Sequence, residues 1–135
     1  MEKTNLKESI LKYTTGVQHI GIPTLNMDAT ETFYTALGFD PYYRTINDGG
    51  RVVFFRLHNL VIESYEQKVC AMKAGAVDHV AVDVNDVDAV YKVVCENGMN
   101  NMNDTIHFLP FFEHGFRFFK IEGPSREILE FGQIL

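Results

Sequence analysis

The chain has 135 residues, 46% of them hydrophobic, and a formal net charge of -6. That is one domain's worth of sequence with enough apolar content for a packed core, which excludes a disordered chain. The acidic balance and the lack of a basic run exclude nucleic acid as an expected partner, and no apolar stretch reaches the roughly 18–20 residues that span a bilayer.

The chain opens with MEKTNLKESILKYTT, which is charged and has no apolar signal core. A cytoplasmic location is therefore expected, with no membrane partner. Residues 2–13 read as a helix within an N-terminal extension, 1–16. Next comes VQHIGIPT, a strand over 17–24 with a histidine, His19, inside an apolar run. Asn26-Met27-Asp28 suits a helix N-cap. The helix that follows is expected to bury Ala29, Phe33 and Leu37 on one face and to end at Gly38. Three strands follow, at 41–46, 51–57 and 60–66. Asn47-Asp48-Gly49-Gly50 and His58-Asn59 supply the turns between them. Residues 67–76 read as a linker. Cys70 and Cys95 form neither a CxxC pair nor a zinc-knuckle spacing, and both read as reduced thiols.

The pattern then repeats. An offset of 60 residues sets His79 under His19, Asp88 under Asp28, Ala89 under Ala29 and Gly98 under Gly38, with no gap. The second copy has a strand at 77–84 and a helix with Ala89, Val93 and Asn97 on one face. Its further strands lie at 105–109, 115–121 and 127–133. The reading is α+β: one domain over 1–135 built from two βαβββ modules, 17–66 and 77–135.

Strand alternation puts His19 on one side with Val17 and Gly21, and Ile20 and Ile22 on the other. His79 likewise shares a face with Val77, Ala81 and Asp83. Val80, Val82 and Val84 are expected to pack under the helix. The last strands of the modules also correspond, with Glu63 in LVIESYE and Glu130 in REILEFGQ. Each carboxylate has apolar neighbours, and burying it without a partner is costly. Taken singly, such a histidine is usually a hydrogen-bonded core residue and such a glutamate is exposed or salt-bridged. The fourfold match in a duplicated frame favours a two-His, two-Glu ligand set for a divalent metal.

These stretches resemble the vicinal oxygen chelate superfamily. HIGI followed by FYTALGF is similar to its first strand and helix, VIESYE to the second-ligand strand and DHVAVDV to the third. GPSREILEFGQ is similar to its terminal Gly-Pro strand with the fourth ligand. The resemblance implies the glyoxalase/bleomycin resistance/dioxygenase-like fold, a curved eight-stranded mixed sheet with metal ligands His19, Glu63, His79 and Glu130. The full His/Glu/His/Glu set is similar to glyoxalase I, the lactoylglutathione lyase. It implies nickel, cobalt or zinc, an enediolate route from an α-ketoaldehyde–thiol adduct, and Glu130 as leading base with Glu63 for the other face. A homodimer and a role in methylglyoxal detoxification come with that resemblance. A methylmalonyl-CoA epimerase-like isomerase, a fosfomycin-type thiol transferase and a non-enzymatic ligand-binding protein are the alternatives.

The substrate part of the pattern departs from glutathione-using relatives. Pro23 stands where an arginine holds a glutathione carboxylate, and Gln67 where an asparagine contributes. Proline cannot replace a bidentate clamp. Tyr65 shares the face of Glu63, and the loop of HFLPFFEHGFRFF offers Phe111, Phe112, His114 and Arg117 as substrate-binding candidates. The other reading of that stretch is a core-filling strand-loop-strand. Arg44, Arg51 and Arg56 lie on first-module strands, where an arginine either faces the groove or is simply solvated.

Overall fold

The computed structural model describes residues 5–124, 126 and 128–135. Glu2, Lys3 and Thr4 of the expected first helix, and Ser125 and Glu127 of the last loop and strand, lie outside the described residues. The elements are α1 (Leu6–Tyr13), β1 (Thr14–Thr24), α2 (Met27–Ala36), β2 (Asp40–Asn47), β3 (Gly50–Leu57), β4 (Leu60–Glu66), β5 (His79–Val84), α3 (Val87–Glu96), β6 (His107–Leu109), β7 (Phe116–Glu122) and β8 (Ile128–Ile134). The strands form one mixed eight-stranded sheet in the order β2-β3-β4-β1-β5-β8-β7-β6. The chain falls into two compact units, one of His19–His79 and one joining the residues up to Gln18 to Val80–Leu135. No helix among the described residues is long and apolar enough to cross a membrane.

In the His19–His79 unit, β1 runs parallel to β4, with Gly21 beside Glu63 and Ile20 beside Ile62. Two antiparallel hairpins join β2, β3 and β4. Asp48 and Gly49 both have positive φ, 55° and 79°, the backbone a two-residue hairpin turn needs. Asn26 caps α2 by accepting from the Ala29 N–H at 3.0 Å, as its sequence position suggests. The core is Met27, Phe39, Val53, Phe55 and Ile62, with Ile22, Tyr34 and Leu57 packed against it.

The helix face expected to be buried is the one that is not. Phe33 and Leu37 are 58% and 57% exposed, and Ala29 is exposed too. Met27 and Tyr34, seven residues apart, fill the interior instead, and Phe39 follows the Gly38 turn into the core. Spacing by four from Ala29 picks out a real apolar stripe, but packing uses the stripe beside it.

In the second unit α3 buries Val87, Val90, Val93 and Val94. Val84, Phe119, Ile121 and Phe131 complete the core, with Ile10 and Tyr13 of α1 packed on it. The expected stripe of Ala89, Val93 and Asn97 is thus off-centre, keeping only Val93 as a fully buried member. Val84 is buried as expected, and Val82 packs on the core. Val80 is 39% exposed, and Val77 precedes the strand and is exposed. Gln18 donates through its amide to Asp83 Oδ1 and to the Gly132 carbonyl, both at 2.8 Å, tying β1, β5 and β8 together.

Phe55 is fully buried and Phe33 is 58% exposed. F55A should lower unfolding free energy by about 3–5 kcal/mol, and F33A by less than about 1 kcal/mol. Urea titration followed by far-UV circular dichroism checks the contrast.

Candidate metal centre

Three side chains converge inside the His19–His79 unit. His19 sits on β1, Glu63 on the neighbouring β4, and His79 is the first residue of β5. The Nε2 atoms of His19 and His79 are 3.1 Å apart. Glu63 Oε1 lies 3.4 Å from His19 Nε2 and 3.3 Å from His79 Nε2. Both histidines are buried, at 2% and 4% exposure, and the Glu63 side chain is 12% exposed.

Local structure explains each placement. His19 alternates away from Ile22, which packs in the core, and its ring meets Phe54 edge-on at 5.5 Å between centroids. Glu63 is in register with Gly21 on one side and Phe54 on the other. The His79 ring occupies the space over Gly21, where an added Cβ would fall inside the imidazole. A strand glycine often marks such a close approach. The Asp78 N–H donates to the Gly21 carbonyl at 2.7 Å and anchors the segment that delivers His79.

His79 Nδ1 donates to Asp78 Oδ2 at 2.8 Å, because a carboxylate can only accept. That bond holds the ring so that Nε2 faces the cluster. A ligating histidine is oriented in this way by an outer carboxylate. Asp78 is not among the sequence candidates. The adjacent Asp-His pair just before a strand is the signal that points to it, because there the aspartate is free of the alternation that would turn it to the other face.

The cluster has its own electrostatics. Burial pushes the Glu63 carboxyl up, but hydrogen bonding to His19 and His79 outweighs it and holds the group at about 2 instead of the ordinary 4.5. Glu63 is therefore an anion at neutral pH. The donor set fits a divalent ion. Ligand bonds near 2.1 Å give donor–donor edges of about 3.0 Å in an octahedron and about 3.4 Å in a tetrahedron. The observed edges, 3.1 to 3.4 Å, lie in that range. Imidazole nitrogen with carboxylate oxygen suits zinc, nickel or cobalt better than calcium.

The remaining sequence candidates sit as follows. Tyr65 shares the Glu63 face, and its ring lies 6.1 Å from that of His79. Glu130 is in the second unit, 3% exposed on β8 opposite Lys120, and alternates away from Phe131 in the core. His19, His79 and Glu130 are all buried and each offers a ligand atom. Phe111 is buried at 2% exposure and meets Phe112 edge-on at 6.3 Å. His114 is exposed beside Glu113. Arg117 is engaged by Asp88 through two hydrogen bonds of 2.7 and 2.9 Å. Cys70 and Cys95 are free thiols.

No protein-family model matches the chain. It is 29% identical over 126 residues to the uncharacterised protein YwbC of Bacillus subtilis (strain 168), covering 87% of this chain and 96% of that one. Among solved structures it is similar to a glyoxalase/bleomycin resistance/dioxygenase superfamily member from Vibrio splendidus 12B01, with a TM-score of 0.62 and 15% identity over 87% of this chain and 99% of that one. A hypothetical protein from Bacillus halodurans C-125 gives a TM-score of 0.66 at 19% identity, over 88% and 94% of the two chains. The 2,2',3-trihydroxybiphenyl 1,2-dioxygenase of Sphingomonas wittichii RW1 gives 0.60 at 16% identity, and there the match spans 88% of this chain and 42% of the enzyme. The chain thus has the glyoxalase/bleomycin resistance/dioxygenase fold, that of the vicinal oxygen chelate proteins.

Two outcomes follow from this geometry. G21A should displace His79 and weaken divalent-metal binding at least tenfold, and D78A should weaken it by about tenfold to a hundredfold; competition against a fluorescent chelator measures both. The lowered Glu63 pKa gives the metal-free protein stability that is fully present above 4.5 and lost as pH falls toward about 2. Denaturation midpoints across that range should show the acid limb in the parent protein and a flattened limb in E63Q.

Proposed function

We propose that the chain is a divalent-metal-dependent lyase or isomerase of the glyoxalase type, acting on an α-ketoaldehyde–thiol adduct as lactoylglutathione lyase does. The reading rests above all on one observation, the convergence of His19 Nε2, His79 Nε2 and Glu63 Oε1 in a buried pocket of donors. The ligand set is taken to be His19, Glu63, His79 and Glu130, with nickel, cobalt or zinc as the ion. Glu130 enters because it holds in the second module the place that Glu63 holds in the first, and because it is a buried carboxylate. It is supplied by the same chain or by a second copy, in a single-domain protein acting as a cytoplasmic homodimer.

A bound divalent ion would supply Lewis acidity toward two adjacent substrate oxygens and so acidify the C–H beside them. The rest of the chemistry falls to the side chains. Glu63, held ionised beside two imidazoles, is suited to be an anionic ligand. Glu130 is the leading base, accepting the carbon-bound proton and returning it to the neighbouring carbon, with Glu63 in the corresponding role for the other face. Asp78 keeps His79 in the ligating tautomer. Tyr65, Phe111, Phe112, His114 and Arg117 are the proposed substrate-side residues. Pro23 argues that the thiol is something other than glutathione, or is held differently.

The test couples metal analysis to turnover. The purified protein, reloaded with Ni²⁺, Co²⁺ or Zn²⁺, should bind about one ion per site and convert methylglyoxal in the presence of one of several thiols. E130Q should keep its fold and lose turnover by at least a hundredfold. Full activity in E130Q removes the base assignment. Turnover of a CoA thioester with none of the methylglyoxal adducts points to epimerisation instead. Sedimentation at the mass of one chain removes the dimer.

A further inference from the structure

Three arginines lie on β2 and β3, and their partners differ. Arg44 is ion-paired with Glu31, and Arg51 with Asp28 and Glu66. Arg56 is exposed; Asp40 is its register partner on β2, but among the described residues no carboxylate lies within ion-pair distance of it. Its guanidinium carbon instead sits 4.3 Å from the centroid of the Tyr42 ring. Stacking of this kind orients a guanidinium while leaving its edge donors open.

The register fixes which side of the sheet it occupies. Phe54 is opposite Glu63, and Arg56 is opposite Val61. Paired residues share a face, and so do residues two apart on one strand. Phe54 meets the His19 ring, so Arg56 is on the face that carries His19 and Glu63. Tyr42 reaches the same face through a bulge, where the β2–β3 register slips between Pro41 and Tyr43. The rings of Tyr42 and Tyr43 both lie close to Phe54, at 6.3 and 6.0 Å. Bulges re-aim side chains in this manner beside functional sites. The Tyr42 hydroxyl is raised by burial, lowered by Arg56 and raised by Glu63, so the three groups share one electrostatic neighbourhood.

We infer that Arg56, set in place by Tyr42, is the anion anchor of this site, and that the ligand is a small molecule that chelates at His19, Glu63 and His79 and carries a carboxylate at its far end. The inference rests on the metal-dependent reading above and names its substrate class. Val61 and Glu63 are two residues apart on β4, roughly 7 Å along the strand. The anionic group is therefore several bonds from the chelating oxygens. A 2-oxo acid whose carboxylate is itself a chelating group is too short. A thiol adduct with a terminal carboxylate has the required span.

The experiment measures binding, not turnover. Ni²⁺-loaded protein is titrated by calorimetry with glutarate monohydroxamate, a chelator with a carboxylate three methylenes away, and with its methyl ester. The acid should bind roughly tenfold to a hundredfold tighter than the ester. R56M should erase that difference by weakening the acid alone, and R56K should keep part of it. Equal binding of acid and ester by the parent protein, or equal weakening of both in R56M, overturns the role of Arg56 and leaves the metal reading standing. Failure of the parent protein to bind either probe overturns the metal reading and this inference with it.

Discussion

Two imidazole nitrogens and a carboxylate oxygen share one buried spot, each within 3.4 Å of the others. Such crowding of lone pairs is tolerable only if positive charge, as protons or as a cation, sits among them. That requirement governs the surroundings. Gly21 gives up its side chain so that the His79 ring can approach the β1 backbone. Phe54 closes one flank of His19, and Asp78 holds the far nitrogen of His79. The strands on either side are core strands for other reasons, and that rigidity keeps the donors from drifting apart to relieve their repulsion.

The sheet separates two tasks by face. On β3, Val53 and Phe55 pack into the core with Met27 and Ile62, while Phe54 and Arg56 alternate to the ligand side. On β4, Ile62 is in the core, and Ser64 on the same face donates to the Ile22 carbonyl at 3.1 Å. Glu63 alternates between them. Stability and chemistry are thus written in alternate letters of the same strands. A substitution on one face reaches the other only through the backbone.

The duplicated frame made the ligands readable from the sequence. His19 and His79 stood out because each was a polar residue at the same place in two copies, and Glu63 because its twin, Glu130, repeated the anomaly. The hairpins at Asp48-Gly49 and His58-Asn59 were equally legible, since turn chemistry is local. The helix faces were not. Ala29, Phe33 and Leu37 make as good a stripe as Met27 and Tyr34, and only the position of the sheet chooses between them. Arg56 was hidden for a related reason. Three arginines look alike in sequence, and what separates them is which are ion-paired, a property of the folded chain.

The β2 bulge reaches beyond the position of one ring. An extra residue there leaves the rest of β2 in step with β3, from Tyr43 opposite Phe54 to Asn47 opposite Gly50. The wall beside the ligands can therefore gain or lose an aromatic side chain by a change in chain length, with no shift in the phase of the core strands. Descendants of this sequence have a way to alter what the pocket accepts through insertion and deletion at a single point, while the donor cluster and its supporting core stay as they are.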